Sequence, residues 1–174
     1  MKLRALEEED LNFLYGLKND YSIMTNWFEE PFNSLTELKD AYSKNFKNES
    51  VRQFVIENDN KTLVGIVYLV SIDYIHRNCE IEIIVKPEYS GRGFAKFAFN
   101  EASQYAFEIL NMHKVYLYVD TENEKAIAIY HKQGFKTEGV LREHFYTKGT
   151  YRDAAFMSIL KSEWDVYKKD NEER

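Results

Sequence analysis

The sequence predicts an α/β (α+β) fold, a mixed sheet covered by helices on both faces. Three observations predict it. Segments with apolar residues at helical spacing alternate with segments of period two, in the order β-α-α-β-β-β-α-β-α-β-β. No repeat, low-complexity segment or linker interrupts the 174 residues, and the only two prolines are Pro31 and Pro87. A hydrophobic content of 44%, with 16% aromatic residues, suits an ordinary globular protein with a sizeable core. One domain over residues 1–174 is expected, with 167–174 as a frayed, solvated tail.

Each element has a local reason. "KLRAL" (2–6) suits a short strand, and the acidic "EEED" after it favours a helix start, with Leu11, Leu14 and Leu17 on one face. "NWFEEPF" (26–32) interrupts the helical pattern as a bulky aromatic turn. Ser34 followed by Glu37 fits a capping box and starts a second helix reaching about Asn45. "RQFVIEN", "TLVGIVYLVSI" and "CEIEIIV" read as strands, the first two joined by the hairpin chemistry of "NDNK". In the third, Ile81, Ile83 and Val85 alternate with Glu80, Glu82 and Ile84, which gives one apolar face.

Residues 94–110 carry Phe97, Ala98, Ala102, Tyr105 and Leu110 at helical spacing, and "KVYLYVD" (114–120) alternates as a strand. "NEKAIAIYHKQG" (123–134) is a helix closed by Gly134. "FKTEGVLREHFYTKG" and "TYRDAAFMSIL" follow as two strands turning at Lys148–Gly149.

With 23 basic and 29 acidic residues the net charge is −6, which argues against nucleic acid as the main partner and permits cationic ligands. Cys79 is the only cysteine, so an internal disulfide or multi-cysteine zinc site is excluded, and beside a strand it reads as a small buried hydrophobe. His76, His113, His131 and His144 are scattered without metal-ligand spacing, so no metal is expected. No signal-peptide pattern follows Met1 and no apolar segment approaches membrane-spanning length, so a cytoplasmic location away from the membrane is expected.

The stretch "PEYSGRGFAKFAF" (87–99) lies between a predicted strand and a predicted helix. Gly91 and Gly93 permit backbone angles that other residues avoid and let a ligand approach the main chain. A helix starting near Gly93 would present unpaired amides over Arg92–Lys96, with Arg92 and Lys96 adding charge, an arrangement suited to a pyrophosphate. The spacing is neither that of a P-loop nor that of a dinucleotide fingerprint, since Lys96 stands where a third glycine belongs. By itself the stretch reads equally as a structural turn.

Context gives it meaning. "EIEIIVKPEYSGRGFAKFAFNEA" followed by "KVYLYVDTENEKAIAIYHKQGFKTEG" resembles the acetyl-CoA-binding core of the GNAT superfamily of N-acetyltransferases. Ser90 to Ala95 occupy the six places of the superfamily pattern R/Q-x-x-G-x-G/A, with Ser90 in place of the Arg or Gln. Asn123, Ala126, Tyr130, Gly134 and Phe135 match a second superfamily segment. "KLRALEEEDL", "IMTNWFEEPF", "YIHRNCEIEIIV", "ILNMHKVYLYVD" and "FYTKGTYRDA" extend the resemblance, over nearly the full chain, to bacterial spermidine/spermine N-acetyltransferases.

The resemblance implies a GNAT-like, mostly antiparallel sheet and transfer of an acetyl group from acetyl-CoA to a primary amine of a polyamine. Ile83, Ile84 and Val85 would offer backbone groups to the pantetheine arm, and Ser90, Gly91, Arg92, Gly93, Phe94, Ala95 and Lys96 would hold the pyrophosphate. Ser90 would still contribute a backbone amide and a hydroxyl. Asn123, Lys125, Ala126, Tyr130 and Lys132 complete the implied cofactor-binding set. Tyr130 would protonate the departing thiolate, a task open to a phenol with a reference pKa of ~10. Glu80 would help the ammonium shed its proton, as a base through water or as an electrostatic anchor, or else is an edge-strand surface charge.

Cations suit acids beside aromatic rings, and "NWFEEPF" supplies Trp27, Glu29 and Glu30. Glu37 and Asp40 add acids from the second helix, although the capping box also accounts for Glu37. The family further implies a regulatory polyamine site involving Met24, Trp27, Glu29 and Glu37 with a neighbouring subunit, and a dodecamer. This chain departs from that pattern at Asn45, Asn48 and Ser71, where a histidine and two acids are expected, and at Tyr68, where a glutamate is expected. Fewer carboxylates should weaken cation or metal binding there. Two other functions remain open at this point. One is acetylation of a protein N-terminus or another small amine; the other is a non-catalytic polyamine sensor.

Overall fold

The structure is a computed structural model and describes residues 1–27 and 29–172. Among these residues it has seven strands and six α-helices. The strands are hydrogen-bonded in the order β1-β2-β3-β4-β5-β7-β6, with β4 parallel to β5 and β1–β2, β2–β3, β5–β7 and β6–β7 antiparallel. The mixed, mostly antiparallel sheet expected from the sequence is therefore present. The chain divides into two compact units, Met1–Val70 with Glu82–Ala102, and Ser71–Ile81 with the chain from Ser103 onward.

The first unit contains β1 (Lys2–Ala5), α1 (Leu11–Lys18), α2 (Tyr21–Trp27), α3 (Leu35–Asn45) and β2 (Arg52–Glu57). It also holds most of β3 (Leu63–Asp73), the second half of β4 (Asn78–Val85) and nearly all of α4 (Phe94–Gln104). Leu11, Leu14 and Leu17 bury the predicted face of α1 against Leu38, Val55 and Ile66. Ser34 caps α3 reciprocally with Glu37, as the spacing predicted. The helical reading breaks earlier than expected, because Asp20 Oδ1 accepts from the amides of Ser22 (2.9 Å) and Ile23 (3.3 Å) and starts α2.

Among the glycines of this unit, Gly65 in β3 is the one that neighbouring backbone approaches closely. A Cβ there would run into the Ile84 carbonyl and lie 2.9 Å from Ile56 Cδ1. Gly65→Ala is therefore expected to destabilise by about 1–3 kcal/mol. That corresponds to a fall in melting temperature of roughly 2–4 °C per kcal/mol, measurable by calorimetry.

The second unit contains the ends of β3 and β4 that form a hairpin, β5 (Lys114–Asp120), α5 (Glu124–Lys132), β6 (Lys136–Thr147), β7 (Thr150–Leu160) and α6 (Lys161–Glu172). A π-helical turn, Tyr105–Ile109, continues from α4. Lys148 and Gly149, at φ 50° and 81°, make the predicted two-residue turn between β6 and β7. Where the sequence suggested a frayed tail from 167, α6 continues to Glu172, and residues 173–174 lie outside the described residues. The helix is anchored by Trp164, which is buried and stacks on Phe107 at 5.8 Å. No helix among the described residues is long and apolar enough to cross a membrane.

Strand β4 corrects one expectation. Cys79 and Ile81 are buried, but so is Ile84, whereas Ile83 and Val85 are only partly buried. The burial phase slips by one residue after Ile81, so strict alternation does not hold along the strand.

Candidate active site

In the first unit, the glycine loop forms at the end of β4. A 3-10 turn, Pro87–Tyr89, leads into Ser90, whose amide donates to the Pro87 carbonyl (3.0 Å). The Ser90 amide is thus already used, so only its hydroxyl remains of the two groups expected from it. Gly91 and Gly93 adopt φ 77° and 85°, the left-handed region that favours glycine. A Cβ at either would meet nothing within 4 Å, so open space lies against the backbone.

The Gly93 carbonyl accepts from Phe97 N (3.0 Å). The amides of Phe94, Ala95 and Lys96 therefore lie ahead of the first intrahelical bond of α4. Gly91, Arg92, Gly93, Ala95 and Lys96 are exposed, while Phe94 is buried and packs edge-on to Tyr89 at 5.9 Å. The Arg92 guanidinium rests over the Tyr89 ring at 5.5 Å. This is a helix N-terminus with added positive charge and bare backbone, which can take an anionic phosphate.

In the second unit, Asn123 Oδ1 accepts from the Ala126 amide (3.1 Å) and caps α5. Lys125 and Lys132 are exposed. Tyr130 stands in the last turn of α5, partly buried, 6.4 Å from Phe135. Its carbonyl accepts from the amides of Gln133 and Phe135 (both 3.0 Å), and Gly134 turns the chain at φ 88°. Burial pushes the Tyr130 phenol above its ordinary value, so it is fully protonated at neutral pH and can donate.

Glu80 is a perturbed carboxyl in the same unit. It sits in β4 opposite Tyr116 of the parallel strand β5, next to the pairs Asn78–Lys114 and Cys79–Val115. Burial pushes its carboxyl up to about 7. Tyr116 is pushed up to about 12 by burial first and then by Glu80, while a hydrogen bond from Ser71 works the other way. Tyr118 is raised by burial and by Glu80. Tyr116 and Tyr118 meet edge to face at 5.9 Å, both contact Phe156 (5.4 and 5.2 Å), and Tyr118 stacks on His144 at 5.1 Å. A carboxyl titrating near neutrality beside several aromatic rings can hold an ammonium and accept its proton.

This aromatic group escaped the sequence reading. The signal was present in "KVYLYVD", whose alternation puts Tyr116 and Tyr118 on the face opposite Val115, Leu117 and Val119.

The acidic–aromatic segment resolves into separate contacts within the first unit. Met24 is fully buried in the core, and Glu37 serves the α3 cap, where acceptance from the Ser34 amide (2.6 Å) holds its carboxyl below the ordinary range. Trp27 packs on Tyr68 (ring centroids 6.0 Å apart), and Glu29 pairs with Lys18. Asn45 and Asn48 line a cavity of about 560 Å³ between α3 and β2. Ser71 belongs to the second unit and bonds Tyr116. Cys79 is buried and its thiol is pushed up to about 12 by burial, the inert state expected of it. Among the described residues no three His, Cys, Asp or Glu are grouped to hold a metal ion.

The glycine-bearing helix start after β4 and the capped tyrosine helix after β5 are the two segments whose sequence resembles the core of an acetyltransferase. The family model for the acetyltransferase (GNAT) domain matches residues 1–136, and the chain belongs to that family. Spermidine N(1)-acetyltransferases of Vibrio cholerae and Escherichia coli are each 46% identical to it over 164 residues. These cover 94% of this chain and 95% and 88% of the two relatives. The structure of spermidine N-acetyltransferase from Vibrio cholerae in complex with CoA and spermine superposes with a TM-score of 0.91 at 47% identity. That match covers 94% of this chain and 96% of the other.

Proposed function

We propose that this protein transfers the acetyl group of acetyl-CoA to a primary amine of a polyamine, spermidine or spermine. The observation that carries the proposal is 46% identity to spermidine N(1)-acetyltransferases over 94% of the chain. The open backbone at Gly91 and Gly93 and the amides of Phe94 to Lys96 fit a pyrophosphate, with Ser90, Arg92 and Lys96 around it. Backbone groups of Ile83, Ile84 and Val85 would run beside the pantetheine arm. Asn123, Lys125, Ala126 and Lys132 are assigned to the same cosubstrate.

Acetyl-CoA supplies an activated thioester carbonyl and a thiolate leaving group. Glu80 draws the ammonium to the aromatic face of Tyr116 and Tyr118 and takes one of its protons, directly or through water. The neutral nitrogen then forms the C–N bond as the C–S bond breaks. The second proton that the nitrogen loses on becoming an amide passes to water, as does the proton held by Glu80. Tyr130 gives its phenolic proton to the sulfur and is later reprotonated from solvent. The phenol's raised pKa favours the donor form, and the carboxyl's value near 7 favours proton acceptance at physiological pH.

The proposal includes a single catalytic domain acting in the cytoplasm as a homo-oligomer, a dodecamer by family resemblance. Exposed Val140, Leu141, Tyr146 and Tyr151 on the β6–β7 hairpin support assembly through apolar surface. A second polyamine position at Met24, Trp27, Glu29 and Glu37 would have to compete with the contacts these residues already make. Acetyl-CoA consumption with spermidine, spermine and a set of peptides bearing free N-termini tests the substrate class. Turnover of the polyamines well above the peptides is expected; the reverse order would overturn the assignment.

A further inference from the structure

Lys18, the last residue of α1, is an unusual lysine because only 9% of it is exposed. Lysine is almost never this deeply buried unless its charge is paired. Its Nζ donates to the Glu29 carboxylate and lies 5.3 Å from the Trp27 ring centroid and 6.0 Å from that of Tyr68. The two rings are tilted by 53° to one another, so they form two walls around the ammonium. Burial, then Glu29 and Glu82, hold the Tyr68 phenol far above its ordinary value, which places a second acid in the same negative field.

Two aromatic walls and a carboxylate are the groups that recognise a free alkylammonium. Beside the Lys18 stem opens a cavity of about 330 Å³, also lined by Leu14, Tyr68 and Glu37, large enough for a slender ligand. The Glu29 side chain is 42% exposed, so the cage is reachable from water on its carboxylate side.

We propose that the Trp27–Tyr68–Glu29 cage is an alkylammonium site that the chain fills with its own Lys18, so that a free polyamine ammonium enters only by displacing this built-in cation. The inference deepens the second polyamine position in the function proposed above, and rests on it only for naming polyamines as the competing ligands. Occupation by Lys18 holds α1, α2 and β3 together without a ligand. Any response to polyamine at this place is accordingly set by a competition within the protein.

The test is rescue of Lys18→Ala in the full-length protein by n-butylammonium chloride, read by thermal melting. Sodium chloride at equal ionic strength and neutral n-butanol serve as controls. The variant should melt below the wild type and rise by roughly 5 °C in butylammonium at about a hundred times its Kd. The wild type, n-butanol and the double variant Lys18→Ala/Glu29→Gln should show no such rise. Equal shifts in wild type and Lys18→Ala, or no shift in Lys18→Ala, would overturn the proposal. Should Lys18→Ala not fold alone, refolding in butylammonium must recover it, and failure to do so counts against the proposal equally. Spermidine turnover is recorded separately: rescue without turnover speaks against the catalytic reading, and turnover without rescue against this one.

Discussion

Tyr130→Phe is expected to lower kcat by roughly 10²–10⁴-fold, the usual contribution of a positioned general acid. CoA affinity should be unchanged. The substitution removes one oxygen and keeps the ring that faces Phe135 at 6.4 Å, so α5 and its cap stay intact. The phenol is a suitable donor because burial keeps it protonated well beyond neutral pH. Steady-state kinetics with saturating spermidine, together with CoA titration by calorimetry, separates the two quantities. A kcat within a few-fold of wild type would remove Tyr130 from the acid role. A large loss of CoA affinity would instead make the residue part of the binding surface.

Glu80→Gln should act on activity and stability in opposite directions. A base titrating at about 7 gives wild-type kcat/KM a component that rises as pH passes through that value. In the glutamine variant this component should vanish, leaving only the monotonic rise due to the amine's own deprotonation, at an activity lower by about 10²–10⁴-fold.

Stability follows from linkage. The folded pKa of about 7 exceeds the ordinary 4.5, so the folded protein binds this proton more tightly than the unfolded chain does. The group's contribution is fully favourable below pH 4.5 and is lost as pH rises through about 7. Glutamine, which mimics the protonated carboxyl, should therefore match wild type only well below pH 4.5 and melt higher at pH 8. The expected gain is roughly 2–4 °C for each kcal/mol of relieved strain. Unchanged activity with a raised melting point would leave Glu80 a buried structural acid with no part in proton transfer.

Much of the fold was legible because its elements are locally determined. Ser34 with Glu37, Asn123 with Gly134, and the Lys148–Gly149 turn each fix a boundary through short-range hydrogen bonds or backbone angles, and each falls where the spacing put it. What escaped depends on partners distant in sequence. The part of α6 from 167 onward reads as a charged tail, and the helix is secured by Trp164 on Phe107 and the Tyr167 hydroxyl on Gln133 (2.7 Å). The slip in β4 cannot be read from a string of isoleucines, because every register of "IEII" offers an apolar face.

The candidate site divides in the same way. The glycine loop and the Tyr130 helix carry patterned signatures. The Glu80–Tyr116 pairing and the Lys18 cage arise only when strands and helices align, and neither leaves a motif in the linear chain.

The last turn of α5, which carries Tyr130, has a consequence for how the proposed activity can be lost. The tyrosine's carbonyl is held by two amides beyond it, and that turn depends on Gly134, where a Cβ would already touch Ile159 Cδ1 at 3.0 Å. The backbone at Tyr130 is thus held by the way the main chain leaves α5, rather than by a loop free to adapt. Substitutions at 133–135, or at Ile159 of β7 against Gly134, are expected to disturb the proposed proton donor while its own side chain is still in place. The stretch on which the proposed donor depends therefore extends five residues beyond Tyr130, through the backbone that closes the helix.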